Sequence, residues 1–326
     1  MAGKHRYKHR YKRQDGDRRN TGRSRGAKGR LGRNLSVSAV LVILLATGYL
    51  KLEDIRLPAE SDPKEIGTTV STGEMQVTFL DVGQGDCTIV RTEGHAAVVD
   101  TGNNDQGEKV VSYLEDQGID TLDYLLLTHP DADHIGGGGN VLEGLEVKKV
   151  IMPDVENDTK TYDEVAEDIE RYQVEVIHPE KGDTFPLGDA EFTILCPEEE
   201  LESSSDMNGS SVGIKLVHGE NSFVMCGDAE ERSEEAMVKQ FGSELECDVL
   251  KCGHHGSSTA TSDEFLKKTD PVWAVISCGT DNSYGHPHAE VLDKLEQADT
   301  QVYRTDRQGT IVAVSDGSEI AWECEK

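Results

Sequence analysis

Thr128-His129-Pro130-Asp131-Ala132-Asp133-His134-Ile135-Gly136-Gly137 sets two histidines and two aspartates within six residues, directly after the apolar run Tyr124–Thr128 (YLLLT). An apolar run without polar alternation is the pattern of a strand buried on both faces, as in a parallel sheet covered by helices. Side chains so closely spaced splay to different sides of a loop, so His129 and Asp131 can grip one cation while Asp133 and His134 grip a second. Mixed imidazole and carboxylate donors suit zinc, manganese or iron better than magnesium or calcium. Gly136 and Gly137 let backbone pack closely behind the loop. The competing reading is a solvated acidic turn, which does not account for two histidines at this spacing behind a buried strand.

Outward from this loop the chain alternates short strands and helices. Gln76–Leu80, Cys87–Arg91 and Ala96–Val99 are strand-like runs split by glycine turns, the first of them VGQGD. Lys109–Gln117 and Tyr162–Tyr172 carry helical periodicity, and Val150–Met152, Val174–Ile177 and Phe192–Leu195 are again strand-like. An acidic, serine-containing loop follows at Glu198–Asp206. Strands are expected at Val212–Val217, Ser222–Met225, Asp248–Lys251 and Trp273–Ser277, with helices at Glu231–Phe241, Asp263–Lys268 and Glu290–Ala298; Gln301–Tyr303 and Thr310–Val314 close the chain. This order predicts an α/β domain over residues 75–326: two mixed sheets sandwiched by helices, in four αβ/βα layers.

The formal charge of −29 hides an asymmetry. Residues 1–34 hold 13 Lys/Arg against Asp15 and Asp17, whereas residues 51–326 hold 20 Lys/Arg against 60 Asp/Glu, a basic tail on an acidic body. Between them Leu35–Leu50 has no charged residue. At ~1.5 Å rise per residue it spans roughly 24 Å, a little short of a bilayer core of about 30 Å, which Arg33 and Lys51 can extend by snorkelling. The expectation is a single membrane-anchor helix with the tail inside and the body outside. A secreted product is the alternative, since Ala46-Thr47-Gly48 offers a small-x-small cleavage pattern. Residues 51–74, with Pro58 and Pro63 and no periodicity, read as a linker. The seven cysteines are scattered without a C-x-x-C, several at the ends of apolar runs, and read as small buried hydrophobes.

The loop resembles the H-x-H-x-D-H signature of the metallo-β-lactamase fold, with Asp131 in place of the second histidine. Together with FLDVGQGD (Phe79–Asp86), VVDTG (Val98–Gly102), CGD (Cys226–Asp228), DVLKCGHHGSS (Asp248–Ser258) and NSYGHPH (Asn282–His288), it is similar to one branch of that fold. That branch is the hydrolase domain at the C-terminal end of ComEC-type DNA-uptake channels and its free-standing relatives. The multi-span channel is absent from this sequence, so the chain resembles a stand-alone relative. The resemblance implies metal ligands His129, Asp131, Asp133, His134, Asp228 as the carboxylate bridging two cations, and His254, with His286 the alternative for the last position. It implies catalytic roles for Asp133 in orienting water, and for His255, His286 and His288 in substrate binding or proton transfer. Asp100 either braces the ligand loop from below or simply caps a turn. The wider fold has a further histidine where this chain reads Asp206-Met207-Asn208-Gly209-Ser210-Ser211. The first cation position is therefore carboxylate-rich, which favours Mn2+ or a loosely held Zn2+, as one or two ions.

The implied activity is hydrolysis by a metal-activated water, with a phosphodiester, DNA foremost, as substrate. The acidic body opposes a polyanion, because duplex binding normally draws on a basic face that displaces counterions. A smaller envelope ester, a lactone or a β-lactam is the alternative substrate, and a metal-binding module without turnover is the third reading.

Overall fold

The computed structural model describes residues 70–197 and 206–326. The basic tail, Leu35–Leu50, the linker through residue 69 and the acidic loop at 198–205 lie outside them. Among the described residues no helix is long and apolar enough to cross a membrane.

Two sheets form the centre. The first runs, in spatial order, Ile320–Cys324, Ile311–Ser315, Met75–Phe79, Thr88–Thr92, His95–Val99, Tyr124–Leu126, Lys149–Ile151, Glu175–Ile177. The second runs Gln301–Arg304, Trp273–Ile276, Val249–Lys251, Asn221–Met225, Gly213–His218, Ala190–Cys196, Thr184–Leu187. Each sheet is antiparallel on one side and parallel on the other. His95–Val99, Tyr124–Leu126, Lys149–Ile151 and Glu175–Ile177 run parallel in the first. Asn221–Met225, Val249–Lys251, Trp273–Ile276 and Gln301–Arg304 do so in the second.

The period-2 geometry of strands sorts their side chains into separate cores. Ala97, Val99, Leu126, Phe192, Ile214, Phe223 and Val249 meet between the sheets. Ala96, Val98 and Leu125 face outward, against Val110 and Leu114 of helix Gly107–Asp116, Val141 of Gly138–Gly144 and Val165 of Lys160–Tyr172. Val224, Leu250 and Ala274 do the same on the other side, against Met237, Phe265 and Val291 of helices Glu231–Phe241, Asp263–Thr269 and Ala289–Gln297. Both faces of the inner parallel strands are thus buried, which is why Tyr124–Thr128 shows no alternation. The four-layer sandwich expected from the order of elements is the architecture observed.

Local departures have simple causes. Gly138–Gly144 forms a helix, because Val141 and Leu142, four and three residues before Leu145, find the outer core with it. Thr184–Leu187 and Ile320–Cys324 are additional strands at the two sheet edges. The first contains Pro186, tolerated where no further strand needs its missing N–H. The second alternates half-buried and exposed residues.

Candidate metal centre

The parallel strands of both sheets end on one side of the sandwich, where loops of open α/β folds gather ligands. Asp100 follows Val99, Thr128–His134 follows the strand ending at Leu126, Asp228 follows that ending at Met225, and His254 and His255 follow Val249–Lys251. Ser277 follows Trp273–Ile276.

Asp100 organises the histidine loop. Its Oδ1 accepts from Thr128 N and its Oδ2 from Thr128 Oγ1, both at 2.8 Å. Oδ2 also accepts from His134 Nδ1 at 2.8 Å. A carboxylate only accepts, so His134 carries its hydrogen on Nδ1 and turns Nε2 inward. The Thr128 hydroxyl, its proton committed to Asp100, can only accept from His129 Nδ1, 3.1 Å away. His129 therefore also presents a bare Nε2. On the opposite loop, His255 Nδ1 donates to the carbonyl of Ser277 at 3.1 Å, which aims its Nε2 into the same space. All three buried imidazoles are thus oriented by partners of Nδ1 on the far side of the ring, with His255 Nε2 shared with Asp133 Oδ2 at 3.2 Å, the arrangement that prepares histidine for a cation.

Asp228 is the meeting point. Its Oδ1 lies 3.3 Å from His134 Nε2, and its Oδ2 lies 3.6 Å from His254 Nε2 and 3.7 Å from His255 Nε2. Its backbone N–H donates to Ser211 Oγ at 3.2 Å, so the segment lacking the further histidine still braces the backbone that carries this carboxylate. His129 Nε2, His134 Nε2 and Asp228 Oδ1 are buried without hydrogen-bond partners. One atom from each of His129, His134 and Asp228 lies within 4.8 Å of the others; the same holds for Asp133, His134 and His255, and for Asp86, Asp228 and His255. Converging orphaned donors of this kind fit one or two cations, since burying them unpaired would otherwise cost about 1–3 kcal/mol each.

Charge follows the same pattern. Burial opposes ionisation of His134 and His255, yet Asp228 and Asp100 push the former well above its ordinary value and Asp228 and Asp86 push the latter up to about 10. Burial likewise opposes the Asp228 carboxylate, but His134 and His255 hold it well below the usual range. Cation binding here would displace protons from the same nitrogens. His286 moves the other way: burial and then His255, His254 and His288 push it down to about 4, so it is neutral at physiological pH.

The remaining expected residues are distributed around this centre. Asp133 Oδ2 is 3.2 Å from His255 Nε2. Asp131 Oδ2 is 3.6 Å from His129 Nε2, with the side chain 40% exposed and Oδ1 accepting from Asn157 at 3.3 Å. His254, 24% exposed, has Nδ1 3.2 Å from both Glu230 Oε1 and Thr259 Oγ1. The groups that converge within 4.8 Å contain His255 and neither His254 nor Asp131. His286 packs against His254 and His255, with ring centroids 5.5 and 6.2 Å away. His288 stands at the rim with both nitrogens on backbone: Nδ1 accepts from Ser258 N at 2.9 Å and Nε2 lies 3.3 Å from Tyr284 O.

Two features escaped the sequence reading. Asp86 and Lys251 form a buried ion pair, and Asp86 Oδ1 sits 3.3 Å from His255 Nδ1. The signal available was a lysine between the apolar Val249-Leu250 and Cys252. The VGQGD turn brings its partner. A Cβ on Gly85, whose φ is +153°, would lie 2.5 Å from Asp133 O, and Asp86 N donates to that same oxygen at 3.1 Å. Second, His254 and His255 are consecutive left-handed residues, with φ of 48° and 54°. Non-glycine residues resist that conformation by roughly 1–2 kcal/mol each, strain of the kind found at functional sites.

A four-layer sandwich with a histidine–carboxylate centre at the strand ends is a metallo-hydrolase architecture. The Metallo-beta-lactamase superfamily matches residues 80–280, and the chain belongs to that superfamily. Among curated proteins it is similar to ComE operon protein 3 of Bacillus subtilis, 33% identical over 258 residues, covering 74% of this chain and 33% of the relative. It is also similar to Recombination protein 2 of Haemophilus influenzae, 31% identical, covering 72% and 28%. The chain thus spans about a third of the length of these relatives. Among solved structures the metallo-beta-lactamase fold protein YhfI of Bacillus subtilis has a TM-score of 0.50 at 14% identity, covering 74% of this chain and 99% of YhfI, a likeness of fold.

Proposed function

We propose that this chain is a metal-dependent phosphodiesterase acting on nucleic acid. The observation carrying the reading is the convergence of the unpartnered Nε2 atoms of His129 and His134, and of His255 Nε2 shared with Asp133, on Asp228. Similarity to a protein whose name ties it to recombination supports the substrate class.

In this reading His129, His134 and Asp228 hold one cation, and Asp133, Asp228 and His255 a second. His255 takes the last position in preference to His254, because it is buried and its Nδ1 is fixed by Ser277 and Asp86. Asp131 stands at the open edge of the first position. Zn2+ or Mn2+ bound there supplies Lewis acidity and water activated near neutral pH. Asp133, half-open beside His255, orients that water. His254 faces the open side with Nδ1 tied to Glu230 and Thr259, placed to hand a proton to a leaving oxygen. Neutral His286 packs behind it rather than donating a charge.

The test is cleavage of bis-p-nitrophenyl phosphate and single-stranded DNA with Zn2+ or Mn2+, lost in His129→Ala and Asp228→Ala. Absence of turnover with either metal, while partner binding survives metal removal, would instead indicate a binding module. The net charge of −29 favours a second reading, a small envelope ester, lactone or β-lactam; hydrolysis of such a substrate with intact DNA would select it. The catalytic domain, residues 75–326, is proposed to stand outside the membrane behind the anchor Leu35–Leu50, or to be secreted. Protease added to intact cells then shaves the body, and a protected body would overturn that placement.

A further inference from the structure

We propose that Tyr284 is a stacking platform for a nucleobase of single-stranded nucleic acid, set beside the metal centre; this rests on the phosphodiesterase reading and names the form of its substrate. Tyr284 is 65% exposed, the most open of the large apolar side chains in the described residues. An isolated exposed aromatic needs no explanation, but this one heads a column of rings leading into the site. Its ring stacks on His286 at a centroid distance of 5.6 Å and 24° between planes. His286 in turn stacks on His255 at 6.2 Å and 30°. The inner face of Tyr284 is thus two ring-to-ring steps from a side chain on Asp228, and the outer face is open to solvent.

The turn carrying it is fastened. Asn282 Nδ2 donates to Gly279 O at 2.9 Å and to His286 O at 2.6 Å, while its Oδ1 accepts from His286 N at 3.0 Å. His288, whose Nδ1 accepts from Ser258 N, donates from Nε2 to the carbonyl of Tyr284 itself. With the turn fastened by these bonds and the ring already lying on His286, little further entropy is lost on stacking, the condition under which an exposed aromatic becomes a binding surface.

The chemistry of the partner follows from charge. A chain of net charge −29 gains little from a phosphate backbone. Base–aromatic stacking is insensitive to that charge and tolerant of sequence, and it needs an unpaired, unstacked base, which a duplex does not offer. A single strand whose base lies on Tyr284 brings its adjoining phosphate toward the His254–His255 turn.

The test compares the metal-loaded full chain on a short single-stranded oligonucleotide and on a strand of equal length built from abasic residues. Tyr284→Ala should raise KM for the base-bearing strand about tenfold and leave cleavage of the abasic strand unchanged. Tyr284→Phe should match the parent, and Tyr284→Leu, which keeps bulk over His286 without a π face, should behave like Tyr284→Ala. Equal loss on both strands, or parent-like KM in Tyr284→Leu, would overturn the stacking role while leaving the phosphodiesterase reading intact. Failure of the parent chain to cleave either strand would remove that reading and this inference with it.

Discussion

Replacing Asp100 by Asn isolates the group that sets the histidine tautomers. The aspartate accepts three hydrogen bonds at 2.8 Å, from Thr128 N, Thr128 Oγ1 and His134 Nδ1. An asparagine of the same shape has one acceptor oxygen. With the amide nitrogen turned toward Thr128 N, one buried donor is unmet; turned the other way, two are. At about 1–3 kcal/mol for each unmet buried donor, the metal-free chain should lose about that amount in its better orientation. In that orientation His134 Nδ1 keeps an acceptor but loses the carboxylate's charge, and in the other the amide NH2 forces the ring hydrogen onto Nε2; either weakening of such a partner lowers metal affinity, roughly 10- to 100-fold. Denaturant unfolding of the metal-free protein reads the first effect. Competition with a chromophoric chelator reads the second. An Asp100→Asn protein that binds metal as tightly as the parent would refute the tautomer argument, whatever its stability.

Other consequences can be measured separately. Burial alone would raise the Asp86 carboxyl, but Lys251 holds it below its ordinary 3.8, and Asp86 raises Lys251 above its ordinary 10.5. The pair therefore stabilises fully between those values and loses its contribution as pH falls through the depressed carboxyl or rises through the elevated amine. Lys251→Met should cost about 3–5 kcal/mol at pH 7, the cost of a broken buried pair, and less at pH 4, where Asp86 can take a proton; a pH-independent cost in urea titrations would contradict this. Gly213→Ala sets a Cβ 2.5 Å from Cys196 Sγ and 3.1 Å from Cys226 Sγ. It should destabilise by about 1–3 kcal/mol and be relieved by adding Cys196→Ala, as read from unfolding midpoints. Metal at a hundredfold excess over Kd should add about 2.7 kcal/mol of stability, reversed by chelator in thermal melts; Asp228→Asn should abolish the increment, and an undiminished increment in that variant would place the metal elsewhere.

What the sequence discloses depends on how local each constraint is. His129, Asp131, Asp133 and His134 lie within one loop, so their shared chemistry is visible in six residues. The strands behind them are legible because burial on both faces leaves unbroken apolar runs such as Tyr124–Thr128. The edge strand Ile320–Cys324 is half-buried, follows Glu319 and carries Glu323 beside Trp322, a pattern too mixed to stand out. Thr184–Leu187 is masked by its proline. The choice between His254 and His255 turns on which ring nitrogen faces Ser277 and Asp86, and no spacing encodes that. The ion pair between Asp86 and Lys251 joins residues 165 positions apart, one in a loop of the first sheet and one on a strand of the second, and becomes apparent only once both sheets are assembled.

The central claim is that imidazoles from two loops and the Asp228 carboxylate enclose a transition metal. X-ray absorption of the chain loaded with Zn2+ or Mn2+, beside elemental analysis of the same sample, tests this directly. One or two ions per chain are expected, with nitrogen and oxygen neighbours, histidine scattering, no sulfur, and loss of bound metal in His129→Ala and Asp228→Ala. A folded sample that takes up no metal, or holds it through its cysteines, would contradict it.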